Sequence, residues 1–456
     1  MAMNEQEGGI VMAADKKGRH IKGTKKQLPD GWITGAFRYA IFPTDEQKQC
    51  LEMAFGCERK VYNEYVAGLY DHLEAVGFSG GFLTYRVPNY TTITQRYDFL
   101  DRSTDSFVYN DAKIRFQAAI KKYNETYGTR PLHYKKSVQK KMKAGYVPSL
   151  QDVKGLPKFH SKKQGGFSYT TNQTNGNIRI EPRDGATFLR IPKFPEGIPV
   201  RLHRELPADG LVKKVTLKRE GTRYLASISV DYPFEKAPLK ETVLAANMTA
   251  LDYSQSGLYV DSDGKKAGYP RFHELIGKRQ RRLNKSLARM KERAMKDENG
   301  QPVYSKNYRQ TVVHYQKTMA KAANQRNDFL HKRSHQITND YDAIVVEDLD
   351  LTNLAQCLKL GKKLHDNGFG MFRGMLKYKA ERKGKHYIVA DRFFPSSKLC
   401  SACGHKKERL RLSERTYACE SCHAELDRDH NAALNLKNYG IHALLDTGFL
   451  ADPVSN

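Results

Sequence analysis

From Thr34 to Phe42 apolar and polar residues alternate, the period of a half-buried strand. Pro43-Thr44-Asp45 then opens a helix, with Thr44 as N-cap ahead of Glu46 and Gln47. Leu51, Phe55, Val61 and Tyr65 give an apolar face to helices running through about Leu73. Residues 90–146 predict basic helices, with Lys135, Lys136, Lys140, Lys141 and Lys143 packed closely. Between 166 and 235 the period drops to two. Phe167–Thr171, Ile178–Ile180, Phe188–Ile191, Val200–His203, Val215–Lys218 and Leu225–Val230 read as short strands separated by turn residues. That spacing predicts a small antiparallel barrel or sandwich, completed by the strand at 34–42. The helical stretch is then an insertion into a β domain.

The second half alternates differently. Residues 247–261 read strand, turn, strand, and Asp263-Gly264 begins the next turn. A basic helical zone covers about 271–340, followed by a short buried strand from Ala343. A helix from about Met371 to Arg382, a strand at His386–Ala390 and a short helix from about Asn431 complete the pattern. Strands alternating with helices predict an α/β domain.

The chain has 456 residues, so about 150 per domain gives two to four units. Residues 1–31 carry Gly, Lys and polar residues without periodicity and read as a disordered basic arm. The net charge is +27, which a compact state tolerates best beside a polyanion, nucleic acid first. No apolar run reaches the 18 or so residues that span a bilayer, so no membrane is expected. Glu5 and Glu7 precede the short apolar stretch Ile10–Ala14, the reverse of a secretory signal. Of seven cysteines, four cluster and three (Cys50, Cys57, Cys357) are scattered, which fits a reducing cytoplasm and one metal site.

Cys400-Ser-Ala-Cys403 and Cys419-Glu-Ser-Cys422 are two knuckles fifteen residues apart. Each turns two thiolates to one side of a tight loop, and together they close a tetrahedral shell for one structural zinc. Gly404 suits the sharp turn of a zinc ribbon. His405 and His423 sit beside the knuckles rather than in the shell.

Three carboxylates stand out on separate elements. Asp252 lies in the apolar run Met248–Tyr253, Glu347 ends the buried strand from Ala343, and Asp429 precedes a helix. Taken singly they read as a turn former, a solvated strand end and an N-cap. Together they offer the hard oxygen ligands that two Mg²⁺ ions need to cut a phosphodiester. Lys278, Arg282, Lys285 and Arg289, on a cationic helix with Leu283, Leu287 and Met290 as its apolar stripe, are candidates to track a phosphate backbone, as are Lys136 and Lys140.

These segments resemble the RuvC-type nuclease of the TnpB family, transposon-encoded RNA-guided DNA endonucleases related to the type V CRISPR effector nucleases. The first nuclease motif resembles Thr249–Gly264 around Asp252, the second Tyr341–Leu349 around Glu347, and the third Asp427–Leu436 around Asp429. Pro270-Arg-Phe, Asn324–Lys332 and Ser396–Gly404 also match the family pattern. Tyr253-Ser-Gln-Ser departs from the Leu-Gly that many members carry after the first Asp. The resemblance implies a multidomain α/β plus all-β protein. An RNase H-like (RuvC) nuclease domain at 241–398 would hold an inserted zinc ribbon at 399–423, that ribbon binding target nucleic acid. The final motif and its helix would occupy 424–440, and a tail 441–456. A β-barrel wedge domain would be split between 32–74 and 166–240 around a helical recognition domain at 75–165. Asp252, Glu347 and Asp429 would be the catalytic triad holding two Mg²⁺, with Cys400, Cys403, Cys419 and Cys422 on one Zn²⁺. A guide RNA would pair with double-stranded target DNA beside a short motif, in the cytoplasm of a prokaryotic cell, close to the nucleoid. The alternatives are a non-cleaving nucleic-acid-binding regulator and a miniature type V CRISPR effector. A ribosome- or RNA-associated zinc-ribbon protein would explain the charge and cysteines but not the three acids.

Overall fold

The computed structural model describes residues 28–101, 103–162, 167–254, 257–351, 354, 366–411 and 414–451. Most of the expected arm, Cys357 and the last five residues of the expected tail lie outside the described residues. Two compact units meet in sequence between Phe234 and Glu235.

In the first unit, Trp32–Ile41 (β1) leads into one continuous helix, Asp45–Ala75 (α1). The helix starts where the sequence places it. The Thr44 hydroxyl accepts from the Gln47 amide at 3.3 Å, and the Gln47 side chain accepts from the Thr44 amide at 3.1 Å. Thr91–Thr94 (α2), Ser106–Tyr127 (α3) and Lys136–Met142 (α4) follow, so the zone expected to be helical from 90 is broken by long irregular stretches. Six further strands come next: Ser168–Asn172 (β2), Arg179–Arg183 (β3), Ala186–Ile191 (β4), Phe194–Arg201 (β5), Leu211–Glu220 (β6) and Arg223–Pro233 (β7).

They form a seven-stranded antiparallel sheet in the order β2-β6-β7-β1-β5-β4-β3. β1 pairs β7 along its whole length, Trp32 with Pro233 through Ile41 with Tyr224. No ladder joins edge strands β2 and β3 among the described residues, so the expected barrel is an open sheet. The reason is local. Gln173 bonds both the amide and the carbonyl of Ile178 through its side chain, and Asn177 donates to the Asn172 carbonyl. Side-chain amides occupy the backbone groups that a closing ladder would pair. α1 and α3 share the core with the sheet, where Tyr62 and Tyr65 pack on Phe116.

That core seals one carboxylate. Glu58 is fully buried, and neither of its oxygens has a hydrogen-bond partner among the described residues. Its counter-charge is Arg115 at 3.4 Å, which also pairs with Asp111 at 2.9 Å. Burial outweighs the guanidinium and lifts Glu58 to about 7.

In the second unit, Met248–Ser254 (β8) and Leu258–Asp261 (β9) form a hairpin. Phe272–Glu292 (α5) and Lys306–Asp340 (α6) are joined through a minimal hairpin, Met295–Lys296 (β10) with Pro302–Val303 (β11). The helical zone expected at 271–340 consists of these two helices. Ala343–Glu347 (β12), Phe369–Arg382 (α7) and His386–Ala390 (β13) complete a four-stranded sheet in the order β13-β12-β8-β9. β13, β12 and β8 are parallel, and β9 is antiparallel.

Alternation sorts the two faces. Leu251, Ile344 and Val346 pack with Phe369, Phe372 and Leu376 of α7. Met248, Ala250, Ala343, Val345 and Ala390 face the other way, under Leu436 and Leu444 of the last helix, Arg428–Asp446 (α8). Gly440 lets α8 settle there, since a Cβ would lie 2.3 Å from Val345. This helix is longer, and starts earlier, than the short one expected from Asn431. Ahead of it, Thr416–Ala418 (β14) pairs with Glu425–Asp427 (β15). The small cysteine-bearing hairpin therefore extends past the expected limit at 423.

Candidate metal and nuclease site

Residues 248, 250 and 252 share the α8 face of β8, and 343, 345 and 347 share the same face of β12. The parallel register runs Ala343–Met248 through Val346–Leu251. One step further it sets Glu347 beside Asp252, at a strand spacing of about 4.8 Å. Both lie at the carboxyl ends of parallel strands, where open α/β sheets hold their ligands. Asp429 comes from above, in the first turn of α8. Asp427 caps that helix by accepting from the amides of Asp429 and His430, which leaves the Asp429 carboxylate to point elsewhere.

Glu347 and Asp429 both act electrostatically on Asp252, but among the described residues only the four cysteines bring ligand atoms within 4.8 Å of one another, so the three acids stand looser than that. Asp252 is 7% exposed and its carboxyl is held well above the usual carboxylate range, first by burial, then by the charges of Glu347 and Asp429. Arg428 pulls the other way, and stands 3.5 Å from Asp429. Glu347 is also raised by burial, against the opposing charge of Arg373. Three carboxylates, one buried and two acting on it, are the donor chemistry that divalent cations of the Mg²⁺ type take.

Neighbouring acids are engaged otherwise. Asp348 pairs with Arg392 at 2.8 Å and Arg373 at 3.6 Å, consistent with its pointing away from Glu347. Asp261 accepts from the amides of Asp263 and Lys265 in its own turn.

The four thiols of Cys400, Cys403, Cys419 and Cys422 lie within 4.8 Å of one another. Cys400 to Cys422 and Cys403 to Cys419 are each 3.6 Å, close to the edge of a tetrahedron with about 2.3 Å metal–sulfur bonds. The amides of Ser421 and Cys422 donate to the Cys419 sulfur, and Gly404 takes φ +74° at the first knuckle. The cluster could bind zinc. Neither His405 nor His423 belongs to it.

Sequence reading missed the clamp that seats this hairpin. Asn431 of α8 donates to the Leu399 carbonyl at 2.7 Å and accepts from the Ser401 amide at 2.9 Å. Asn435 donates to the carbonyls of Ser396 and Leu399. The available signal was two asparagines four apart on an otherwise apolar helix face.

The candidate phosphate contacts are all on exposed faces. Lys278, Arg282, Lys285 and Arg289 line one groove along α5 with Arg281 and Arg293. No residue of α5 is buried. Lys136 and Lys140 stand exposed on α4, in the first unit. Among the described residues no helix is long and apolar enough to cross a membrane.

Three family profiles match the chain. A helix-turn-helix domain of the IS605 OrfB group covers residues 33–73, which fold here as β1 and α1. An IS605 OrfB profile described as "Probable transposase" covers 227–358, spanning Asp252 and Glu347. A Cas12f1-like TNB domain profile covers 369–436, spanning the four cysteines and Asp429. The chain is thus similar to IS605 OrfB-type proteins in its first part and through Asp252 and Glu347, and to the Cas12f1-like TNB domain from α7 into α8. A Streptomyces pristinaespiralis protein named "Putative RNA-guided DNA endonuclease" is 28% identical over 90% of each chain. A Mycobacterium tuberculosis protein of the same description is 25% identical over 91% of this chain and 88% of its own. The "TnpB-like protein L79" of Acanthamoeba polyphaga mimivirus is 29% identical over 26% of this chain and 24% of its own. Two of the three profiles thus span the acids and the cysteines described above.

Proposed function

We propose that this protein is a TnpB-type RNA-guided DNA endonuclease whose second unit is an RNase H-like (RuvC) nuclease domain with an inserted zinc ribbon. Asp252, Glu347 and Asp429 form its metal-binding triad. The observation that carries this reading is the register that sets buried Asp252 beside Glu347 at the carboxyl ends of two parallel strands, with Asp429 in the first turn of α8 acting on Asp252 by its charge. Relatives named as RNA-guided DNA endonucleases along nine-tenths of their length support the activity and its partners, a guide RNA and double-stranded target DNA.

When bound there, two Mg²⁺ ions would activate a water and stabilise the departing oxygen of an in-line displacement. The chain's own part is to fix the ligands. β8 and β12 hold Asp252 and Glu347 one strand apart. α8, pinned at Gly440 and capped by Asp427, sets Asp429 over them. Arg428 and Arg373 stand by two of the acids and offset part of their mutual repulsion. The α5 groove tracks the phosphate backbone through Lys278, Arg282, Lys285 and Arg289, fixing position rather than sequence. Sequence is read by guide pairing after a short flanking motif is recognised. The first unit acts as wedge, its seven-stranded sheet, and recognition region, its helices, with Lys136 and Lys140 on RNA. The ribbon holds one structural Zn²⁺ on its four cysteines and touches target nucleic acid.

The test is a cleavage assay with the copurifying ribonucleoprotein, a guide-matched plasmid and Mg²⁺. Asp252→Ala should abolish cutting while leaving RNA and target binding intact. Wild-type cutting by that variant would overturn the triad assignment. A wild-type complex that binds target and never cuts would instead favour a regulator.

A further inference from the structure

Phe393 is 91% exposed, the most exposed of the large apolar side chains among the described residues. A lone apolar side chain on a surface is ordinary. This one differs in where it stands and how it is held. It follows β13, whose last residue, Ala390, pairs with Glu347 in the parallel register. Its Cα is at most about 11 Å along the chain from Ala390, at the same strand ends that carry the acids.

Both flanking residues are anchored. Arg392 donates to Asp348, the residue after Glu347, at 2.8 Å. The Phe394 ring packs on Tyr439 of α8 with centroids 4.9 Å apart. The Phe394 amide closes a turn on the Asp391 carbonyl at 3.0 Å, and Ser396, nearly buried, is bonded to α8 through Asn435. The backbone at 393 is therefore fixed while its ring projects into water. A flexible tip could fold its ring back onto the protein. A turn anchored on both sides cannot do so without breaking these contacts.

We infer that Phe393 is a stacking platform for an unpaired base of the strand brought to the Asp252–Glu347–Asp429 site. This rests on the nuclease reading above. A benzene ring has no polar handle, so what covers it must be flat or apolar, and an unstacked base has a π-face whatever its identity. Paired bases in a duplex are already stacked on each other. The platform thus takes single-stranded nucleic acid, without base preference. Arg392, half exposed beside the ring, retains donors for the adjoining phosphate. Losing one base–aromatic stack weakens binding by about tenfold to a hundredfold.

Photocrosslinking tests this without a guide and without turnover. Full-length protein carrying Asp252→Ala is mixed with single-stranded DNA bearing 5-iododeoxyuridine, irradiated, digested and mapped. The peptide containing Phe393 should carry the crosslink. Phe393→Ala should lose it, and Phe393→Tyr should keep it. In the Asp252 enzyme, Phe393→Ala should slow cleavage about tenfold or more, with an unchanged melting temperature and Phe393→Tyr restoring the rate. Crosslinks confined to other peptides would overturn the inference. So would a Phe393→Ala effect on self-association in place of crosslinking, which would make the ring a protein contact. If Asp252→Ala itself cuts DNA, the nuclease assignment falls whatever the crosslink shows. If Asp252→Ala is dead and the crosslink is absent, the platform alone falls.

Discussion

Each unit buries acidic side chains, and the two clusters are balanced differently. In the first, Glu58 and Asp111 share the Arg115 guanidinium, and Glu58 is sealed from water. In the second, the charges that act most on buried Asp252 are two more carboxylates, and Glu347 and Asp429 stay partly accessible. The first cluster is closed on the protein's own cation. The second gathers like charge at an open edge, a configuration that favours an incoming divalent ion. Burial of an acid does not by itself mark a reactive site.

The contrast can be broken most severely at Asp252. Asp252→Ala should lower the cleavage rate about a thousandfold or more, measured in single turnover, whereas Glu58→Gln should leave that rate within about twofold. Glu58→Gln should instead act on stability. The folded-state value is raised to about 7 against an ordinary 4.5, so the folded form binds its proton more tightly than the unfolded form does. This group costs nothing below 4.5, an increasing amount between 4.5 and about 7, and about 3 kcal/mol above that. The variant should therefore melt higher than the parent at pH 8 and show no gain at pH 4. An equal gain at both values would assign the effect to packing.

Mg²⁺ sharpens the contrast next. At a hundred times its dissociation constant it should stabilise the wild-type second unit by about 2.7 kcal/mol for each ion bound. The same titration on Asp252→Ala should give a much smaller shift, and Glu58→Gln should respond like wild type. Two smaller effects lie outside both clusters. Thr44→Ala removes the cap of α1 and should cost about 1 kcal/mol by denaturant titration. Lys285→Ala with Arg289→Ala should flatten the salt dependence of DNA binding by about 0.7–0.9 in the log–log slope for each phosphate left without its cation. An unchanged slope would leave that helix face merely solvated.

Much of this was legible because it is periodic. The alternation around Met248–Asp252 and Ala343–Glu347 assigns both acids to one face, and the register of two parallel strands does the rest. Cys-x-x-Cys spacing announces a four-thiol cluster directly, and Thr44 with Gln47 announces the start of α1. What stayed hidden depends on partners far apart in sequence. Arg115 reaches Glu58 across 57 positions and Asn435 reaches Ser396 across 39, and nothing in local composition pairs them. The open edge of the large sheet was hidden for another reason. Gln173 and Asn177 look like ordinary turn residues, and only their side-chain bonds show that they stand in for a ladder.

The small cysteine hairpin has two roots, and both are in α8. Its entry is stapled by Asn431 and Asn435, and its exit strand β15 ends on Asp427, the cap of the same helix. Asp429 is two residues further on. The thiol knot and the third acid are thus mechanically in series, like a tuning peg and its string. Losing the hairpin's shape would slacken the end of the helix that carries Asp429, and shift that acid without touching its charge.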